Sequence, residues 1–138
     1  MKIDESFCKE NDFEECNFKM LIKNIPSGLI RMLILWIISQ GKIHGYKIMK
    51  YLDEFFTEFI KKDIISNFNS SKIYPILHEM ENEELIIGDW DIHNNKKVKY
   101  YTITKKGEDL LNHIKFKNKK IMKNDLWVKF LTEMGFSR

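Results

Sequence analysis

Residues 69–86, NSSKIYPILHEMENEELI, combine a proline with a helical pattern of apolar side chains. Pro75 lacks an amide hydrogen and clashes with the carbonyl four residues back, so it is best tolerated close to a helix start. We therefore expect a helix from Ser70 or Ser71 to about Glu83, with a first turn that presents short polar side chains and a lysine. The apolar positions that repeat at helical spacing are Ile73, Ile76, Leu77 and Met80.

Two helices are expected on the N-terminal side of this stretch. Residues 26–28, Pro-Ser-Gly, precede a run that is apolar nearly all round, which predicts a buried helix from about Leu29 to Gln40 that ends at Gly41. The sequence KIHGY then leads into a helix from about Tyr46 to Ile60, in which we expect Tyr46 itself to pack into the core. The predicted buried stripe of this helix contains Ile48, Leu52, Phe55, Phe56 and Phe59.

The C-terminal side of the stretch predicts a hairpin and then a long helix. LIIGDWDI and KVKYYTIT have strand-like composition and flank the turn-forming residues 93–95, His-Asn-Asn. Thr104 is placed to cap a final helix, whose apolar stripe is interrupted around Lys117–Lys120. The predicted fold is mostly α (α+β): a winged helix-turn-helix with a two-stranded β-wing and a long C-terminal helix.

The predicted elements divide the 138 residues into three parts. Residues 1–27 form an acidic head, partly helical or flexible, residues 28–104 the winged helix-turn-helix domain, and residues 105–138 one or two dimerisation helices. Residues 1–16 are acidic, whereas ten lysines lie between residues 96 and 123. This asymmetry indicates that the later part meets a polyanion, or that the two parts meet each other.

Composition also bears on compartment and on the classes of protein to consider. The most apolar run, LIRMLILWIIS, contains Arg31 and is shorter than the ~20 residues of a membrane span, so we expect no membrane partner. Cys8 and Cys16 lack a CxxC spacing, which favours reduced thiols in a cytoplasmic protein over a redox switch.

No constellation of catalytic side chains stands out, so the sequence predicts neither an enzyme nor a protein with a cofactor. The histidines lie on separate predicted elements without the spacing of a metal site, which leaves no metal ligands to assign. They are His44, His78, His93 and His113.

Three helices followed by a hairpin suggest a DNA-binding arrangement. In a winged helix-turn-helix the helix before the hairpin enters the major groove, and its N-terminal residues face the base edges. A helix start also offers free N–H groups and a positive dipole end to phosphate. Double-stranded DNA is therefore the expected partner.

Three segments resemble the PadR family of bacterial and archaeal transcriptional regulators. They are LIRMLILWIISQGKIHGYKIMKYLDE, SSKIYPILHEMENEELIIGDW and KVKYYTITKKGEDLL, in the family order between about Gly28 and Leu111. The resemblance implies a dimeric winged-helix repressor whose C-terminal helix forms the dimer interface, and some members bind aromatic or drug-like effectors. The chain departs from the family at Glu84, where glycine is usual, and in the wing, where lysines replace the usual arginine.

Candidate DNA contacts follow from the expected fold. Those on the predicted recognition helix are Asn69, Ser70, Ser71, Lys72, Tyr74 and His78; those on the wing and second helix are Lys96, Lys97, Lys99, His44 and Lys47. The alternatives are a capped, solvated helix start and a charged strand edge that discourages aggregation. Strand alternation predicts that Val98 and Tyr100 lie on one face of the wing and the lysines on the other.

The chain has only two arginines, Arg31 and Arg138, and neither lies on the predicted recognition helix. Since bidentate arginine–guanine pairing is the commonest specific base contact, we expect recognition through Asn, Ser and Lys contacts and DNA shape. The expected function is a homodimeric repressor on a pseudo-palindromic, A·T-rich operator. A small-molecule sensor and a winged-helix protein-interaction module are the alternatives.

The C-terminal residues are assigned to self-association and to an effector. The predicted dimerisation positions are Leu111, Ile114, Ile121, Met122, Val128 and Leu131. The resemblance implies a planar aromatic effector against C-terminal aromatic side chains, for which plain dimer packing is the alternative. The candidate effector residues are Trp127, Phe116 and Phe130.

Overall fold

The computed structural model describes residues 25–138, so residues 1–24 of the predicted acidic head, with both cysteines, lie outside this range. Six helices and three strands follow one another in this range. In chain order they are α1 Ser27–Ser39, β1 Ile43–His44, α2 Gly45–Phe55, α3 Thr57–Lys61, α4 Ser70–Asn82, β2 Ile86–His93, β3 Lys96–Ile103, α5 Lys105–Ile121 and α6 Asp125–Glu133.

The predicted hairpin is confirmed, but the sheet has three strands where two were expected. Strands β2 and β3 pair antiparallel around a turn in which Asn94 and Asn95 have φ angles of 50° and 64°. Positive φ at both central residues matches the twist of a tight hairpin, and asparagine tolerates it. The third strand, β1, pairs with the other edge of β3 through Ile43 and His44. Two residues are too few to give an alternating pattern, so the sequence did not reveal β1.

The core joins α1, α2 and α4 to the base of the wing. Its most deeply buried side chains are Ile34, Ile38, Ile48, Leu52, Ile73, Leu77, Ile86 and Tyr101. Leu111 on α5 also belongs to this core and is only 6% exposed. Among the predicted dimerisation positions, its side chain is therefore the one that packs within its own chain.

Two details of the second predicted helix need correction. The helix ends at Phe55 and α3 follows it at once, so the expected continuous helix is interrupted at Phe56. Ile48, Leu52 and Phe56 follow one another at spacings of four residues and are buried, whereas Phe55 is 47% exposed. Phe55 lies about 100° around the helix from Phe56, which places it off the buried face.

The C-terminal helical region breaks later than expected. Helix α5 continues through the lysine run and ends at Ile121. Asn124 then caps α6, because its side-chain oxygen accepts a hydrogen bond from the Leu126 amide at 3.0 Å. The cap residue sets the break, and the long lysine side chains are compatible with a helix.

Helix α4 ends without the glycine that is usual in the family. Glu84 adopts a left-handed conformation with φ of 63°. The Leu85 amide donates to the Met80 carbonyl at 3.0 Å and the Glu84 amide to the Glu81 carbonyl at 2.9 Å, which is the Schellman pattern. The start of α5 stabilises this end, since the Thr104 hydroxyl donates to the Glu84 carbonyl at 2.6 Å.

The conformation of Glu84 leads to a stability prediction. A left-handed conformation costs an L-residue roughly 1–2 kcal/mol, and glycine avoids this cost. Part of the gain is lost because glycine has more conformational freedom in the unfolded chain. Glu84→Gly should therefore raise the free energy of unfolding by roughly 0.5–1 kcal/mol in urea denaturation. Glu83→Gly is the matched control and should lower it, because Glu83 has an ordinary φ of −82°. Destabilisation by both changes would contradict this account.

Candidate nucleic-acid interface

The start of α4 is held by a cap and by an anchor to α2. The Asn69 side-chain oxygen accepts a hydrogen bond from the Lys72 amide at 3.1 Å. Just before the cap, the amide of the buried Phe68 donates to Asp53 Oδ1 at 2.9 Å. These contacts fix where the helix begins, and Ser70, Ser71 and Lys72 are exposed there.

Proline is best tolerated in the first turn of a helix, but Pro75 lies beyond that turn. Helix α4 begins at Ser70, which makes Pro75 its sixth residue. Proline has no N–H to donate to the Ser71 carbonyl, which would be its ordinary helical partner. The start at Ser70 agrees with the predicted start, and the Asn69 cap fixes it.

A groove of about 570 Å³ separates the exposed face of α4 from the wing. Tyr74 lies at its edge, directly over Gly45, where an added Cβ would come within 2.7 Å of the tyrosine hydroxyl oxygen. A glycine at position 45 thus leaves room for the Tyr74 ring. The groove is lined by residues of β1, α2, α4 and the wing, among them His44, Tyr46, Tyr74, His78, Trp90 and Lys97.

The wing lysines do not all share one face. Lys97 and Lys99 alternate with Val98 and line the groove with the buried Tyr101. Lys96 lies on the Val98 face, because side chains two residues apart in a strand point the same way. The prediction that the lysines lie opposite Val98 and Tyr100 is therefore correct for Lys97 and Lys99 and wrong for Lys96.

The two wing lysines in the groove differ in their partners. Lys99 Nζ lies 2.7 Å from Glu81 Oε1, and the two side chains are only 25% and 24% exposed. Lys97 is exposed at the groove wall. The ammonium group of Lys99 is thus already paired with a carboxylate of α4.

His44 and Lys47 are close in sequence but lie in different surroundings. His44 caps α2, where its Nδ1 accepts a hydrogen bond from the Lys47 amide at 3.0 Å. Its ring lies 5.6 Å from that of Tyr100, and it lines the groove. The Lys47 ammonium lies 5.3 Å from the Tyr51 ring centroid and lines a second cleft of about 380 Å³.

Charged and phenolic groups around α4 have shifted pKa values. Arg31 on α1 donates a 2.6 Å hydrogen bond to Glu79, which raises the pKa of Arg31 and lowers that of Glu79. Burial, with smaller contributions from Glu81 and Tyr74, raises the pKa of Tyr101 to about 12, so the hydroxyl stays neutral at physiological pH. Arg31 is therefore tied to the body of α4.

Residues 34–113 match the sequence profile of the transcriptional regulator PadR-like family. The chain belongs to this family. A PadR-like transcriptional regulator from Bacillus cereus is 31% identical and superimposes with a TM-score of 0.56, over 70% of this chain and 86% of that one. Bacillus subtilis PadR, solved in complex with operator DNA, is 29% identical with a TM-score of 0.53, over 64% of this chain and 46% of that one.

Two other comparisons support the shared fold alone or show no match. A Streptococcus transcriptional regulator is 21% identical with a TM-score of 0.58, over 74% of this chain and 93% of that one, which supports the shared fold alone. The search of curated proteins returned no significant match. The predicted family and winged helix-turn-helix fold are confirmed, and PadR-like proteins are transcription regulators by family description.

The C-terminal helices of this PadR-like chain carry a largely exposed apolar surface. Trp127 and Phe130 on α6 are half exposed and meet edge-on, with ring centroids 6.1 Å apart. Phe116 lies on α5 with the Lys120 ammonium 4.5 Å from its ring centroid, and no ring contact joins it to Trp127 in the described part. The other exposed or half-buried dimerisation positions are Ile114, Ile121, Met122, Val128 and Leu131.

Three groove residues escaped the sequence-based assignment. Tyr46 was expected in the core but is 61% exposed, and it lines the groove with Glu81 and Trp90. Tyr46 is the second residue of α2 and lies in the first turn, next to the His44 cap. Trp90 lies on the same face of β2 as Ile86 and Gly88, because residues two apart in a strand point the same way, and the sequence pattern could have shown this.

Two other kinds of site, a membrane-spanning helix and a metal-binding cluster, are not found in residues 25–138. No helix in this range is both long and apolar enough to cross a bilayer. The same range holds no group of three or more His, Cys, Asp or Glu side chains arranged to hold a metal ion.

Proposed function

We propose that this PadR-like chain is a cytoplasmic transcriptional repressor that binds a pseudo-palindromic, A·T-rich operator as a homodimer. The supporting observation is the exposed, capped start of α4 beside a lysine-bearing wing. The Bacillus subtilis relative solved with operator DNA supports DNA as the ligand of this fold. In this proposal residues 28–104 bind DNA and residues 105–138 dimerise.

Base contacts are assigned to the first turn of α4. Ser70, Ser71 and Lys72 are exposed and adjoin the free N–H groups of the helix start. The Asn69 amide oxygen already accepts the cap hydrogen bond, so bidentate pairing of Asn69 with adenine would sacrifice the cap. Asn69 therefore contributes its amide N–H₂, while the two serines and Lys72 supply the other polar contacts.

Phosphate contacts are assigned to groups at the rim of the groove. Lys97 and Lys96 extend from the wing, and His44 Nε2 is available to donate because Nδ1 accepts the cap hydrogen bond. Tyr74 and His78 reach the same groove from α4. Lys47 lies outside the groove and would contact DNA only where the duplex extends past α2.

The preference for A·T pairs rests on the positions of the arginines. Arg31 is held by Glu79 on the body of α4, and Arg138 is the last residue of the chain. Neither belongs to the exposed first turn of α4, so the usual arginine–guanine pairing has no donor there. Serine hydroxyls can contact either type of base pair, so the preference is assigned to DNA shape, because a narrow minor groove is a property of A·T-rich tracts.

The role of Lys97 can be measured through salt dependence. Each phosphate neutralised adds about 0.9 to the slope of log affinity against log salt concentration. Lys97→Ala should lower the slope by about 0.9 for each protomer bound, and Lys117→Ala on α5 is the control that should leave it unchanged. Fluorescence anisotropy with operator DNA across salt concentrations gives both values. A wild-type slope for Lys97→Ala would remove this lysine from the interface.

Self-association is assigned to the apolar surface of α5 and α6. Ile121 and Val128 are both at least 40% exposed in the single chain. Burying a charge there without a partner is costly, so Val128→Asp should convert a dimer to a monomer. Sedimentation velocity at micromolar concentration measures the change, and Asn112→Asp on α5 is the exposed control. A dimer that persists in Val128→Asp would place the interface elsewhere.

A planar aromatic effector is the second candidate role of the C-terminal surface. The half-exposed Trp127–Phe130 pair favours it, because stacking on an indole needs an accessible ring. Titration of tryptophan emission with a planar aromatic dye tests it, with Trp127→Phe as the control. Equal quenching in both proteins would count against an effector at Trp127.

A further inference from the structure

Lys99 crosses the groove from the wing to the recognition helix α4. Its ammonium lies 2.7 Å from Glu81 Oε1, 5.8 Å from the Trp90 ring centroid and 5.5 Å from the Tyr101 ring centroid. About three quarters of each of the Lys99 and Glu81 side chains is buried, at 25% and 24% exposed. The lysine is therefore enclosed by a carboxylate and two aromatic rings, and its charge is neutralised within the protein.

Gly88 provides the space for this crossing. Gly88 lies on β2 opposite Tyr101, and Lys99 lies opposite Trp90. A Cβ at Gly88 would collide with the Lys99 side chain and would come within 3.2 Å of Glu81 Oε2. Any larger residue at position 88 would therefore displace the Lys99 side chain from Glu81.

We propose that Glu81 and Lys99 form a wing clamp, a pair that holds the wing at a fixed position relative to α4 without itself contacting DNA. This inference rests on the proposed DNA-binding function and assigns a positioning role to Lys99, which the sequence placed among the phosphate contacts. The clamp matters because α4 and the wing have to meet the duplex at the same time. A wing already held in place loses less conformational freedom when it binds.

The electrostatics favour a clamp over a phosphate contact. A lysine paired with a carboxylate presents little net charge to a phosphate, and freeing it would leave the Glu81 carboxylate beside the DNA backbone. Within residues 25–138 no ion pair joins Lys97 to a carboxylate, and Lys97 lies at the groove wall. The two lysines should therefore differ in their contribution to the salt dependence of binding.

The test compares the neutral double variant Glu81→Gln/Lys99→Met with Lys97→Ala, using the full chain and DNA fragments from upstream of its own gene. The double variant keeps the net charge of the wild type but lacks the pair. We expect it to bind about three- to tenfold more weakly at constant salt, with an unchanged slope of log affinity against log salt. Lys99→Arg, which can still pair with Glu81, should retain wild-type affinity.

Two results in the DNA assay would overturn the clamp. One is a slope that falls by about 0.9 per protomer in Lys99→Met/Glu81→Gln, as expected for a lost phosphate contact. The other is wild-type affinity in the double variant. A circular dichroism spectrum and an unfolding curve like those of the wild type show whether the variant is folded, and Gly88→Ala provides a second way to displace the pair.

A measurement without DNA separates the clamp from the proposed function. Amide hydrogen exchange in β2 and β3 should be faster in the double variant than in the wild type and unchanged in Lys97→Ala. Wild-type exchange rates in the double variant would contradict the clamp even if DNA binding is confirmed. Faster exchange in a protein that binds no DNA would instead support a fixed wing and overturn the proposed function.

Discussion

Replacing Ser71 with glutamate is expected to reduce operator affinity at least about 100-fold while leaving the fold intact. Ser71 is the second residue of α4 and is exposed. A carboxylate there would face the phosphates and base edges of the duplex, and juxtaposed like charges cost several kcal/mol. The same carboxylate lies at the positive end of the helix dipole, so it should slightly stabilise the free protein. Loss of binding would therefore not come from loss of structure.

Two further variants make this result specific. Asn112→Asp adds the same charge on the exposed side of α5 and should bind like the wild type. Ser71→Lys should retain strong binding but change the preferred sequence, because a cation replaces a hydroxyl group beside the bases. Competition binding against operator and unrelated duplexes distinguishes affinity from preference. Wild-type binding by Ser71→Glu would show that the start of α4 does not face DNA.

Replacing Gly107 with alanine is expected to lower the free energy of unfolding by about 1–3 kcal/mol, the usual cost of overpacking a filled site. Gly107 is buried in the first turn of α5. A Cβ there would collide with the backbone carbonyl oxygen of Leu85 and lie 2.7 Å from Ile103 Cγ1. The Leu85 oxygen cannot move freely, because it accepts a hydrogen bond from the Thr104 amide at 3.1 Å and lies 3.0 Å from the Thr104 hydroxyl oxygen.

Urea denaturation of Gly107→Ala measures this loss, and Gly28→Ala is the matched control. Gly28 lies in α1 with nothing within 4 Å of an added Cβ. Alanine is the better helix former, so Gly28→Ala should be neutral or stabilising. A wild-type denaturation midpoint for Gly107→Ala would mean that the junction of α4, β2 and α5 is looser than the structure indicates.

Local sequence signals predicted most of the fold. Asn69 and Thr104 each cap the helix that follows, and the two asparagines of the hairpin turn adopt the positive φ that such a turn requires. Each of these features depends on residues within about four positions in the chain. For the same reason the helix order, the hairpin and the family could be predicted before the structure was known.

Features that depend on distant residues could not be predicted. Glu84 ends α4 in a left-handed conformation that is usually adopted by glycine. Its carbonyl accepts a hydrogen bond from the Thr104 hydroxyl, twenty positions away. Leu111 follows the apolar stripe of α5 but packs into the core of its own chain. The Glu81–Lys99 pair joins residues eighteen positions apart, so a lysine that looked available for phosphate is engaged within the protein.

Selection of bound duplexes from a random pool tests the central claim most directly. The account predicts enrichment of an A·T-rich inverted repeat, with half-sites about 10–10.5 base pairs apart or at a multiple of that spacing, as a symmetric dimer requires. Parallel selection with Ser71→Lys should yield a different half-site with the same spacing. No enrichment over the starting pool would contradict DNA recognition, and a G·C-rich core motif would contradict recognition through serine, lysine and DNA shape.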